Sequence, residues 1–222
     1  MKDALVLLIN LKTYDEGTGA NALKLAKAAF SLGKEKVEII FAAQATDIRM
    51  LSKETHIPIF AQHVDSVKFG SSTGWILPEA VKSAGASGTL LNHSERRIDF
   101  ETAKRSLARC RELGLRVVMC AESPEKAQEL ASLRPDYIAI EPPELIGGDI
   151  SVSKAKPEVI TESVQKVHAV AHVPVLCGAG VKDGEDVRKA LALGAKGILV
   201  ASGVVKAKNP VEAIKNLLVG FE

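Results

Sequence analysis

Residues 173–200 read VPVLCGAGVKDGEDVRKALALGAKGILV. An apolar, β-branched run from Val173 to Cys177 gives way to the small residues of CGAGV, then to a helical pattern ending at Gly194, then to a second apolar run from Gly197 to Val200. Neither run alternates between apolar and polar, so each is expected to form a strand buried on both faces. That is the mark of a parallel sheet whose crossovers are helices. The same grammar extends back through the chain. Six further runs of this kind stand at Ala4 to Ile9, Val37 to Phe41, Ile57 to Ala61, Gly88 to Leu91, Arg116 to Cys120 and Tyr137 to Ile140.

The intervening segments carry helix punctuation. Asn21 to Leu32 places Leu23, Ala26 and Phe30 on one face and closes at Gly33. Ser123-Pro124-Glu125 supplies an N-cap, a proline at the first helical position and an acid in the first turn, and Asn209-Pro210 repeats the cap-proline pair. Gly85, Gly114 and Gly194 each stand between a helical stretch and the next apolar run, where a left-handed C-cap is wanted. Strand then helix, eight times over, leaves an open doubly wound sheet or a closed barrel. No Gly/Ser-rich linker divides the chain, and no GxGxxG follows the first strand to mark a dinucleotide-binding half. The expected fold is therefore α/β, an eight-stranded parallel β/α barrel in a single domain spanning residues 1–222.

Composition narrows the function classes. The formal charge of +2 comes from 29 basic and 27 acidic residues interleaved along the chain, and only 4% of residues are aromatic, so a nucleic-acid footprint of basic stripe and stacking platform is missing. The short KAK at residues 206–208 reads as a solvated turn. No apolar run approaches the roughly 18 residues needed to cross a bilayer, and Ala4 to Ile9 is too short for a signal-peptide core. Cys110, Cys120 and Cys177 are odd in number and widely spaced, as reduced thiols of a cytoplasmic protein would be. A disulfide framework or zinc site is not expected.

In a parallel barrel every strand opens onto the same face, so residues just past the runs converge although the sequence scatters them. Here they are Asn10 and Lys12, Gln62 and His63, Asn92 to Glu95, Glu141, Gly178 and Gly180, and Ala201 to Gly203. Glu141 is followed by Pro142 and Pro143 and, after Glu144, by Leu-Ile-Gly-Gly-Asp, the pattern of a mobile lid hinged beside an acid or base. His93 precedes the cap-like Ser94-Glu95, so a helix N-terminus is expected to point at its ring and hold it neutral. Asp65 offers His63 a structural hydrogen bond, while His56, His168 and His172 read as structural or solvated. Lys12 is open to three readings: a solvated lysine, a Schiff-base nucleophile, or a fixed cation for an anionic substrate. The small residues of CGAGV and VASGV stand where barrels bind phosphate through backbone N–H groups.

The motifs INLKTY, AQHVD, TGWILPEA, LNHSERR, IEPPELIGGD, VSKAKPE, CGAGV and VASGV stand in the order and spacing of another set. Over almost its whole length the chain resembles the triosephosphate isomerases, and its shortness with VSKAKPE, CGAGV and KAKNP resembles their compact archaeal branch. The resemblance implies that Glu141 shuttles a proton between the first two carbons of a triose phosphate and that His93 is the neutral electrophile. It further implies that Lys12 supplies positive charge, Asn10 helps bind substrate oxygens, and Glu95 pairs with Lys12. Ile146 and Gly147 in the lid, Gly178, Gly180, Ala201 and Ser202 would hold the phosphate. Neither metal nor organic cofactor is implied, and a cytoplasmic homo-oligomer, with a tetramer favoured over a dimer, is.

Three places depart from the commoner family pattern: the lid PPELIGGD lacks a tryptophan hinge, Ala179 replaces a serine, and Trp75 stands where the archaeal branch commonly has histidine. Two rivals remain at this point. One is a phosphate-binding lyase or aldolase using Lys12 as a Schiff base. The other is a non-catalytic barrel that binds a phosphorylated metabolite, which has no use for a carboxylate opposite an imidazole.

Overall fold

The computed structural model describes residues 4–33, 36–142, 153 and 156–222. Eight parallel strands run β1 (Leu5–Asn10), β2 (Val37–Ala43), β3 (Ile59–Ala61), β4 (Gly88–Leu91), β5 (Arg116–Ala121), β6 (Tyr137–Ile140), β7 (Val175–Cys177) and β8 (Gly197–Val200). Each pairs with the next, and β8 returns to β1 to close the barrel. All eight expected runs form strands. The third and seventh are shorter than their apolar runs because Pro58 and Pro174 lack the N–H that a ladder position requires.

Helices alternate with the strands: α1 (Gly19–Phe30), α2 (Ile48–Glu54), α3 (Pro78–Ala84), α4 (Phe100–Glu112), α5 (Pro124–Ala131), α6 (Pro157–Val170), α7 (Gly184–Ala192), α8 (Ser202–Val205) and α9 (Pro210–Val219). Their ends obey the local chemistry. The Ser123 hydroxyl accepts from the Lys126 N–H at 3.2 Å and the Asn209 side chain from the Glu212 N–H at 3.3 Å, satisfying donors that a first turn leaves open. Gly85 ends α3 in the left-handed region at φ 106°, where a Cβ would strain the turn.

The missing alternation in the runs has a simple cause. Val6, Leu8, Ile40, Ala42, Phe60, Leu90, Val118, Cys120, Ala139, Leu176 and Leu199 fill the inside of the barrel. Their strand neighbours, among them Leu7, Ile9, Ile39, Phe41, Val117, Met119, Ile138, Ile140 and Ile198, face outward and pack beneath the helices. Both faces are buried, so both must be apolar. Side chains still alternate with period two. The inward parity of β1, β3, β4, β6, β7 and β8, continued one step past the last apolar residue, reaches Asn10, Gln62, Asn92, Glu141, Gly178 and Ala201. Of these, Glu141, Gly178 and Ala201 line the cavity at the mouth, while His93 reaches it from the other parity, so barrel packing and the loops together select which residues look into the mouth.

The three cysteines are free and buried. Burial pushes the Cys110 and Cys177 thiols up to about 12 and Cys120 well above its ordinary value, so all three remain protonated and inert at neutral pH. No helix among the described residues is long and apolar enough to cross a membrane.

Candidate active site

Lys12, His93 and Glu141 arrive at one mouth from β1, β4 and β6, and line a cavity of about 350 Å³ with Gly178, Gly180, Ala201 and Ser202. Glu141 is almost wholly buried, at 3% exposure, and its Oε2 has no hydrogen-bond partner among the described residues. A carboxylate out of water with one oxygen unpartnered disfavours its own charge. Burial pushes the Glu141 carboxyl up to about 7, with the Cys120 thiol and the Lys12 charge pulling it back down. The result is a carboxylate poised to take and return a proton near neutrality.

The imidazole facing it has the opposite tendency. His93 Nε2 lies 3.6 Å from Glu141 Oε1. Burial lowers the ring's pKa first and the nearby Lys12 charge lowers it further, with Glu95 acting against them. On its far side, Nδ1 accepts the backbone N–H of Glu95 at 3.2 Å. An accepting Nδ1 leaves the proton of the neutral ring on Nε2, the atom turned toward Glu141. The helix N-terminus expected behind His93 is instead a turn, closed by the Arg96 N–H on the His93 carbonyl at 2.8 Å. The next helix, α4, begins only at Phe100, with Asp99 as its cap. A single turn N–H therefore fixes the tautomer in place of a helix dipole.

Lys12 adopts a left-handed backbone, φ 48°, which costs a non-glycine residue about 1–2 kcal/mol. Its Nζ meets Glu95 Oε1 at 2.7 Å. Glu95 is 60% exposed, so this pair adds at most about 1 kcal/mol to stability; its consequence is the placement of the ammonium. Gly178 is required by close approach: a Cβ there would lie 2.6 Å from Glu141 Cγ. No side chain fits at Gly178 without displacing the carboxylate.

Residues 5–217 match the family described as triosephosphate isomerase. The chain is 47% identical over 216 residues to the triosephosphate isomerase of Methanocaldococcus jannaschii, covering 96% of this chain and 99% of that protein. It is 48% identical to the enzyme of the same name from Methanosarcina acetivorans, with 96% of each chain covered, and 47% identical to that of Saccharolobus solfataricus, covering 96% and 94%. The chain belongs to the triosephosphate isomerase family. That membership joins the barrel to a reaction class, isomerisation.

For a triosephosphate isomerase family member, the described residues then sort by location. Asn10 is buried, and its Oδ1 accepts the Lys12 backbone N–H at 3.0 Å. Asn92, although on the inward parity, braces its loop: its amide donates to the Cys120 carbonyl at 2.9 Å and its Oδ1 accepts the Ile98 N–H at 3.0 Å. His63 holds Asp65 at 3.0 Å, the structural hydrogen bond anticipated for it, and stands outside the cavity lining. Trp75 is exposed and likewise outside the lining. Ile146 and Gly147, expected in the lid, lie outside the described residues, as does Pro143. Sequence reasoning missed Tyr14, Val181 and Lys182 in the cavity wall. Lys182, two residues past Gly180 in a phosphate-type loop, was the legible one.

Proposed function

We propose that the protein interconverts dihydroxyacetone phosphate and D-glyceraldehyde 3-phosphate through an enediolate. The Glu141 carboxylate takes the proton from one carbon and returns it to the neighbouring carbon. The C–H electron pair forms the C=C bond of the enediolate as the carbonyl π pair moves onto oxygen. His93 Nε2–H donates to that oxygen and, by the reverse exchange at the second oxygen, lets the new carbonyl form. Lys12 balances the phosphate and the developing oxyanion, Glu95 holds Lys12, and Asn10 contributes to substrate binding. Gly178, Gly180, Ala201 and Ser202, with Ile146 and Gly147 from the lid, hold the phosphate: Gly180, Ala201 and Ser202 offer backbone N–H groups, while Gly178, whose N–H donates to the Ile140 carbonyl at 2.9 Å, leaves the space. One observation carries this reading: a raised-pKa carboxylate lies 3.6 Å from a lowered-pKa imidazole in a cavity that also holds a lysine.

The same geometry weighs against the lyase rival, because Lys12 Nζ is engaged at 2.7 Å by Glu95 Oε1 rather than left free to attack a carbonyl. The chemistry asks for no metal or organic cofactor. A coupled assay for triose phosphate interconversion with chelator present tests reaction, substrate and cofactor independence together. Glu141 acts as base only when ionised, so kcat/KM is expected to fall about tenfold per pH unit below about 7. Absence of interconversion refutes the proposal.

We place the enzyme in the cytoplasm, in glycolysis and gluconeogenesis, with a phosphorylated triose as its small-molecule partner and with no role for nucleic acid or membrane. The homo-oligomer, a tetramer by preference, is supported by exposed Phe30, Phe69, Trp75, Val170 and Val219, which a second subunit would cover. Light scattering in dilute native buffer is expected to give a multiple of 23.6 kDa; the monomer mass removes the assembly from the proposal.

A further inference from the structure

Gln62 follows β3 on the inward parity but does not line the cavity. Its side-chain amide donates to the Lys12 carbonyl at 2.8 Å and to the Ala42 carbonyl at 3.3 Å. Both amide protons are thereby engaged, and the reverse orientation would set Oε1 against two carbonyl oxygens, so the amide has one way to face. The Ala42 carbonyl also accepts the Leu11 N–H at 2.9 Å, which binds the same short segment to β2. Asn10 Oδ1 meanwhile accepts the Lys12 N–H at 3.0 Å. Both backbone polar groups of a left-handed lysine are thus held by side chains from two different strands.

We propose that Gln62 is a positioning residue: it clamps the left-handed backbone of Lys12 and so aims the ammonium at the anionic end of the substrate. A lysine at φ 48° relaxes toward the right-handed or extended regions unless its surroundings hold it. The Glu95 contact at 2.7 Å cannot do this alone, because Glu95 is largely exposed and grips only the tip of a flexible four-carbon stem. Gln62 acts on the root of that stem. Its amide thus belongs to the phosphate-binding machinery although it touches no substrate. The inference rests on the isomerase reading of Lys12.

The test compares wild type with Gln62→Met, which keeps the volume and removes both donors, and with Gln62→Asn, which keeps an amide but withdraws it by one methylene. Kinetics are measured in both directions, with inorganic phosphate as competitive inhibitor and with a pH profile. Loss of the clamp is expected to lower kcat/KM by about ten- to a hundredfold, chiefly through KM, since misplacement of about 1 Å has effects of that order. Inhibition by phosphate is expected to weaken in step, while the acid limb set by Glu141 stays near 7. Unchanged phosphate inhibition in a folded variant overturns the clamp, whatever happens to kcat. Gln62→Asn carries the same readout if the Met chain does not fold. Wild type inactive on triose phosphates refutes the isomerase reading instead, so the two failures are separable.

Discussion

Glu141→Gln is expected to lose at least about a thousandfold in turnover while the barrel stays folded, because a carboxamide fills the same space and cannot accept the carbon-bound proton. Steady-state kinetics with circular dichroism check both halves, and a variant that keeps a tenth of wild-type turnover removes Glu141 as the base. The same substitution has a second readout. Burial raises this carboxyl from 4.5 to about 7. Between those values the native state holds a proton that the unfolded state has released, so the stability contributed by the neutral acid is full below 4.5 and is lost as pH rises through 7. At pH 8 the charged form costs about 3 kcal/mol, an order-of-magnitude figure from the size of the shift. Glu141→Gln is therefore expected to melt at a higher temperature than wild type above pH 7, with the gain shrinking toward pH 5. Function at this residue opposes stability.

His93→Gln is expected to lower kcat by about a hundred- to a thousandfold, the scale of removing one donor aimed at a developing oxyanion. The glutamine amide can still donate, but it cannot exchange a proton between the two substrate oxygens as an imidazole does. The acid limb of the pH profile distinguishes the two residues. Burial and the Lys12 charge keep His93 neutral as pH falls, so the limb near 7 belongs to Glu141 and is expected to persist in the variant. Its disappearance would transfer that titration to the ring. In thermal stability the two groups act against each other. A histidine lowered in the fold makes the unfolded chain the better proton acceptor below pH 6.5, whereas Glu141 makes the folded chain the better one between 4.5 and 7.

Much of this was legible in the chain, for reasons that differ by residue. The runs at Tyr137 to Ile140 and Gly197 to Val200 matched their strands end to end because neither contains a proline and both are buried on two faces. Ser123 and Asn209 revealed their helices because capping is decided within a few residues. The stretch after His93 was misread because Ser94-Glu95 looks like a cap. Asp99, five residues further on, takes that position by accepting the Thr102 N–H at 2.8 Å. Gln62 was placed at this end by following the third run, but its role carried no local signal, since both carbonyls it holds come from other parts of the chain.

The amino-acid order alone determined that strands alternate with helices, that both strand faces are apolar, and that Lys12, His93 and Glu141 follow strands and so share one end. Those properties depend on neighbours within a turn or a strand, where periodicity and caps speak directly. Only closure of the barrel decided the protonation states and the aim of these groups. The proton on His93 Nε2 follows from one turn N–H, the raised carboxyl of Glu141 from water excluded by the surrounding walls, and the bearing of Lys12 from partners 50 and 83 residues away. Electrostatics depends on distance and dielectric in three dimensions, and neither exists until the chain has folded.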